Sequence, residues 1–241
     1  MGLLNILSPV FGTLDGAVAS VLPTILRIAI WAALLAVCTM LLYKVLSPQA
    51  RIGEAKRHAR DARRRLNSFD GELADAGPLI RDQFVTAFRH IGLVIPGTFI
   101  AILPLLCFLV WADNHYGHDL PADGQSPALA TIPERADGVR LRWDAQNRPP
   151  ALAFSADNNG ARSYPMIAPV TIIAKHSAWN WLVGNPLGYL PDDSPVEAVR
   201  IDLPEHEFFH VGPQWMRGWL AVFIPVMFVV SLLMFKWAKI E

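Results

Sequence analysis

The sequence predicts an α+β integral membrane protein: three transmembrane helices, a coiled-coil-like cytoplasmic helical hairpin and an extracytoplasmic β-rich domain. Three observations carry this. Hydrophobic residues make up 53% of the 241 residues, high for a soluble chain, and mean hydropathy is +0.31. The excess is gathered into three uncharged runs, residues 28–43, 91–112 and 218–235. Finally, a formal net charge of zero hides two connections of opposite character.

The opening residues 1–20 carry Leu3, Leu4, Ile6, Leu7, Val10 and Phe11, and read as an interfacial segment leading into the first span. They lack a basic n-region and an A-x-A site, so a removable signal peptide is not expected. Residues 21–46 form the first predicted span. Its uncharged core is 16 residues long and reaches spanning length with the apolar flanks Val21, Leu22, Val45 and Leu46. Arg27 lies near one end of this span, where a cation needs either a partner or water, or snorkels to the headgroups.

Residues 47–90 are the predicted hairpin. Ser47 is placed to cap a helix whose first turn holds Pro48. Ile52, Ala55, Ala59, Ala62 and Leu66 then recur at steps of three and four, a narrow seam suited to one partner helix. Arg57 with Asp61, and Asp61 with Arg65, have i,i+4 spacing on the opposite face. "NSFDGE" turns the chain. A second amphipathic helix starts near Pro78 and runs directly into the second span, residues 91–112.

Residues 113–217 change character. "GVRLRWD" and "AVRID" alternate apolar with charged residues as half-buried strands do, and "ALAFSA" and "MIAPVTIIA" supply two more, with Asn158-Asn159-Gly160 as a turn. Trp179, Trp181, Tyr189, Trp215 and Trp219 suit either a domain core or the membrane-water boundary. Residues 218–236 form the third span and 237–241 a tail with Lys239.

Charge sets the expected orientation. The first connection holds nine Lys and Arg against six acids, whereas residues 113–217 hold eight against thirteen. The positive-inside bias places the hairpin and C-terminus in the cytoplasm and the N-terminus and long connection outside, in a bacterial-type inner membrane. Cys38 and Cys107 fall in spans and read as packing residues.

One stretch spells a catalytic motif. His206-Glu207-Phe208-Phe209-His210 is H-E-x-x-H, which binds zinc only on a helix, because i,i+4 spacing aims both imidazoles at one ion. Pro204 precedes it closely and Gly212-Pro213 follows, leaving under two turns. No His, Asp or Glu occurs from 211 to 240, and Pro213 and Met216 stand where an extended metzincin pattern needs Gly and His. The expectation is a strand or edge segment with His206 and His210 facing solvent and Phe208 or Phe209 buried. A zinc hydrolase completed by His115, His118 or His176 is the minor alternative. There is no G-x-S-x-G elbow, phosphate loop or C-x-x-C pair, so neither an enzyme nor a cofactor is expected.

The order of spans and the segment "YKVLSPQARIGEAKRHARDARRRL" resemble the YidC/Oxa/Get insertase superfamily, including its three-span members and the insertase subunit of the ER membrane complex. The resemblance covers residues 20–112 and 217–241. It implies a non-enzymatic protein that helps hydrophobic clients enter the bilayer through a polar groove open to the cytoplasm, the hairpin receiving the client. This chain departs in its large outer insert and in having few polar groups in its spans: Thr24, Arg27, Thr39, Thr98 and Ser231. Expected client or lipid contacts are Arg27, Lys56, Arg57, Arg60, Arg63 and Arg64. Expected partners are membrane lipids, a hydrophobic client or other membrane-complex subunits, and the ribosome as a further candidate; the basic run touches lipid or RNA phosphates rather than DNA. The alternative is an accessory subunit that docks through the outer domain.

Overall fold

Long uninterrupted apolar runs become long helices here because the backbone bonds within itself and leaves only side chains to face a solvent. The computed structural model describes residues 2–71, 76–134, 138–156 and 159–238. It is α+β, with two small antiparallel sheets and five α-helices among the described residues: α1 (Ser8–Val18), α2 (Thr24–Leu46), α3 (Gln49–Asn67), α4 (Gly77–Tyr116) and α5 (Leu220–Ala238). Three of them, α2, α4 and α5, are long and apolar enough to cross a membrane. The chain divides into two units, Met1–Ile28 with Leu106–Phe223, and Ala29–Leu105 with Ile224–Glu241.

The second unit is helical. α4 has 40 residues, about 60 Å at ~1.5 Å per residue, so its length is about twice the hydrocarbon layer. It continues through Pro96 and Pro104, as membrane helices tolerate. The seam of α3 is buried as its spacing predicts: Ile52, Ala55 and Ala62 are inside, Ala59 and Leu66 half-buried. Gly53, beside Ile52, is buried as well.

Two local expectations are corrected. Ser47 does not cap α3: Pro48 occupies the N-cap position, and the buried Ser47 Oγ has no hydrogen-bond partner among the described residues. Ser47 is instead pressed against α4, where a Cβ at Gly97 would collide with its side chain. Arg65 does not pair along its own helix with Asp61; it reaches Asp82 on α4 at 2.7 Å, because a bond between helices adds a tie that an i,i+4 pair cannot.

In the first unit, six strands follow: β1 (Ala128–Ile132), β2 (Val139–Asp144), β3 (Ala151–Ala156), β4 (Asn159–Pro165), β5 (Ile172–Ala174) and β6 (Ala198–Asp202). They form two sheets, ordered β1-β6-β5 and β2-β3-β4. Register places Trp143 opposite Leu152, Leu152 opposite Tyr164, Leu129 opposite Ile201 and Ile173 opposite Val199. Those residues, with Phe154, Met166, Leu190 and Val196, make one core. The Tyr164 phenol donates to the Tyr189 carbonyl at 3.1 Å.

"GVRLRWD", "ALAFSA" and "AVRID" are strands, as their alternation predicts. "MIAPVTIIA" is one only from Ile172, since Pro169 lacks a ladder donor and the chain turns at Ala168 to Val170. Asn159 opens β4 rather than completing a turn, while Asn158, Glu72 of the first turn, and Lys239 with the end of the 237–241 tail lie outside the described residues. Trp219 is buried; Trp179, Trp181 and Trp215 are exposed, and Tyr189 is half-buried.

Candidate functional site

Charged groups collect at two places, one in each unit. On α3, Lys56, Arg57, Arg60, Arg63 and Arg64 are all exposed, on the side away from the Ile52 seam. Helical spacing produces this separation: three- and four-residue steps keep the apolar positions on one stripe, so the cations between them face outward.

The second cluster centres on Asp15. Phe11 and Asp15, four residues apart on α1, share its inward face and are both buried. Phe108, Trp111, His115 and Tyr116 descend the last turns of α4 to meet them, with Phe11 5.4 Å from Phe108 and 5.7 Å from Trp111 between ring centres. Phe223 at the start of α5 stacks on Phe108 at 5.4 Å. The aromatic rings exclude water from Asp15, whose side chain is only 1% exposed. A buried carboxylate needs compensation, and Arg27, Tyr116 and His115 are among the groups that supply it. Arg27 forms a direct ion pair with Asp15 Oδ2, Tyr116 donates its hydroxyl to Oδ1 at 2.5 Å, and His115 Nε2 lies 3.4 Å from Oδ2.

Arg27 needs that carboxylate equally. It sits in the first turn of α2, where the helix dipole disfavours a cation, and its side chain is 11% exposed. It also donates to Thr24 Oγ1 at 3.1 Å and lies over the Tyr116 ring at 5.9 Å, while its buried Nε has no hydrogen-bond partner among the described residues. Arg27 therefore belongs to an internal ion pair that brings the start of α2 to the end of α4.

A cavity of about 150 Å³ opens beside this pair, lined among others by Arg27, His115, Tyr116, His118, Asp119 and His206. The H-E-x-x-H stretch reaches it through His206 and Phe208, and not through His210. The segment is not helical; Glu205 bridges to His118, His206 Nδ1 lies 2.7 Å from Asp119 Oδ1, and Phe208 packs edge-on against His206 at 4.4 Å. His210 is 87% exposed and 3.7 Å from Glu207. Without helical geometry the two histidines do not converge, and no group of three His, Cys, Asp or Glu among the described residues is arranged to hold a metal ion. Phe208 is half-buried and Phe209 exposed.

Sequence reasoning singled out Arg27 but not Asp15, His115 or Tyr116 as its partners. The signal was present: Asp15 is the single charged side chain before Arg27, so two opposite charges stand alone in an apolar stretch. No known protein family, curated protein or solved structure matches this chain.

Proposed function

We propose that this protein is a multi-pass membrane protein, without catalytic residues or cofactor, that assists insertion or assembly of other membrane proteins, as its resemblance to the insertase superfamily implies. The observation that carries the reading is the α3–α4 pair: α4 is a single helix of 40 residues whose apolar part continues into a polar part, tied to a helix with seven exposed Lys and Arg. A positively charged arm joined rigidly to a span suits the capture of a client beside the bilayer, before its apolar segment partitions.

In this reading the hairpin and C-terminus are cytoplasmic, and the N-terminus and β-rich region lie outside. Charge asymmetry supports that orientation. So does the joining of the first residues to the long connection, Leu4 N to Leu182 O at 2.9 Å and Gly184 N to Asn5 Oδ1 at 2.7 Å, which requires both on one side. Leu3, Ile6, Val10 and Leu14 point outward while Leu4 and Phe11 point inward, an arrangement suited to the membrane boundary.

Photo-crosslinkers placed at Arg57, Arg60 and Arg64 test the proposal. Adducts with nascent membrane proteins support it. It fails if these positions capture no client and depletion leaves integration of every tested short-tailed client unchanged. Labelling of a cysteine at position 60 from the external face would reject the orientation independently.

A second reading, an accessory subunit docking through its β-rich region, is favoured by exposed Ile167, Val211 and Trp215, apolar side chains of a kind enriched at interfaces. Copurification with one enzyme in fixed stoichiometry, lost in Trp215→Ala, distinguishes it.

A further inference from the structure

The facing sides of α3 and α4 enclose an open groove of about 390 Å³. Its walls come from two short helical stripes, Arg51, Glu54 and His58 on α3, and Thr86, Arg89 and Leu93 on α4. Each stripe recurs at steps of three and four, so its members stand on one face. Ala55 forms the floor, and its small side chain leaves the volume open.

Two features point to a ligand. Arg51 and Arg89 enter from different helices, and among the described residues neither they, Glu54 nor His58 has a hydrogen-bonded or ionic partner. The level in the fold is also specific. Arg89 lies two residues before the uncharged run 91–112, Leu93 lies within it, and Arg51 is eight residues past the end of the run 28–43. With α2 and α4 crossing a bilayer, the arginines are at headgroup depth and Leu93 at the first carbons of the acyl chains.

We propose that this groove binds the phosphodiester headgroup of a membrane phospholipid. Arg51 and Arg89 donate charge-assisted hydrogen bonds to the phosphate oxygens from two sides. Glu54 accepts a hydrogen bond from a donor further along the headgroup, a glycerol hydroxyl or an ethanolamine ammonium. Leu93 contacts the start of an acyl chain. The charges match: two arginines and one glutamate leave one positive formal charge, which balances one phosphodiester and leaves a dianionic phosphate monoester in excess. Such a lipid bridges α3 to α4 at the base of the hairpin and sets its height over the bilayer. The inference rests on α2 and α4 spanning the membrane and is independent of insertion activity.

The test is lipid retention by the purified full-length protein, read by native mass spectrometry after exhaustive exchange into a mild detergent. Wild type retains one phospholipid. Arg51→Gln with Arg89→Gln lowers retention about tenfold or more, the loss of two charge-assisted contacts, with the helical circular dichroism unchanged. Arg140→Gln with Arg142→Gln, an equal charge loss on β2, retains it. In nanodiscs, Glu54→Gln narrows the preference for phosphatidylglycerol and phosphatidylethanolamine over phosphatidylcholine. Equal retention in wild type and the Arg51/Arg89 variant, equal loss in the β2 variant, or displacement of lipid by millimolar inorganic phosphate alone each overturns the proposal, the last in favour of a free phosphate site. Because the readout is bound lipid, its failure leaves the crosslinking result for the hairpin untouched.

Discussion

Asp15 and Tyr116 stand 101 residues apart in the chain and share a hydrogen bond of 2.5 Å, the phenol donating to Asp15 Oδ1 while Arg27 occupies Oδ2. One carboxylate thereby joins α1, the first turn of α2 and the last turn of α4. Its value to the fold lies in this three-way connection, since a buried ion pair as such is weakly stabilising once desolvation is counted.

Removing one member should therefore cost more than removing the set. Asp15→Ala leaves Arg27 buried without its counter-ion and is expected to destabilise the protein by about 3–5 kcal/mol. Asp15→Leu combined with Arg27→Met should recover most of that loss. Thermal unfolding in detergent measures both, and an additive double variant argues that the two residues do not act as a pair.

Two features of α3 carry unequal weight, its buried seam and its ion pair to α4. Ile52 is fully buried, so Ile52→Ala should cost about 2–5 kcal/mol and loosen the hairpin. Arg65 and Asp82 are 61% and 43% exposed, so Asp82→Asn should cost under about 1 kcal/mol and be masked by salt. Protease nicking in the hairpin follows both. A larger effect from Asp82→Asn would reverse the assignment.

Gly97 is needed for space. Its backbone lies so close to Ser47 that an added Cβ meets the Ser47 side chain, with Ser47 Cβ at 3.1 Å and Cα at 3.3 Å. Gly97→Ala should destabilise by about 1–3 kcal/mol through this overlap. Adding Ser47→Gly removes the obstructing atoms and should restore much of the loss, whereas an effect of helix propensity alone predicts Gly97→Ala to stabilise.

Tyr164 gives the β-rich region an alkaline limit. Burial raises its phenol above the ordinary value, against a smaller opposing influence of Arg162. The folded state thus favours the protonated form, so this contribution is complete below the unfolded value of about 10 and is lost as pH rises through the raised folded one. Tyr164→Phe loses the hydrogen bond to Tyr189 O, about 0.5–1.5 kcal/mol near neutral pH. The stability gap between wild type and Tyr164→Phe should narrow above pH ~10. A gap that stays constant there removes the argument.

Legibility followed the range of the interaction. The α3 seam, the continuous α4 and the strands at Val139, Ala151 and Ala198 were readable, because periodicity along one segment reports which face is buried. β1 and β4 were not. "ALATI" is apolar at four of five positions and "NGARSYP" is mostly polar, so neither alternates apolar with charged residues, and each is held by hydrogen bonds to a neighbour, β6 or β3. Ser47 was misread for a related reason: a serine before a helix favours capping, but Gly97 of a distant segment brought a helix against it.

Local sequence, then, determined three apolar helices, the polarity of the connections and the amphipathic stripe of α3, because hydrophobicity and period act over a few turns of chain. Tertiary structure alone decided that Tyr116 should join Asp15 and Arg27, that Arg65 should reach Asp82, and that the second histidine of H-E-x-x-H should stand apart from the first. Each of these depends on which distant groups are brought within a few ångströms, and charge compensation in a water-poor setting is governed by that proximity rather than by spacing along the chain.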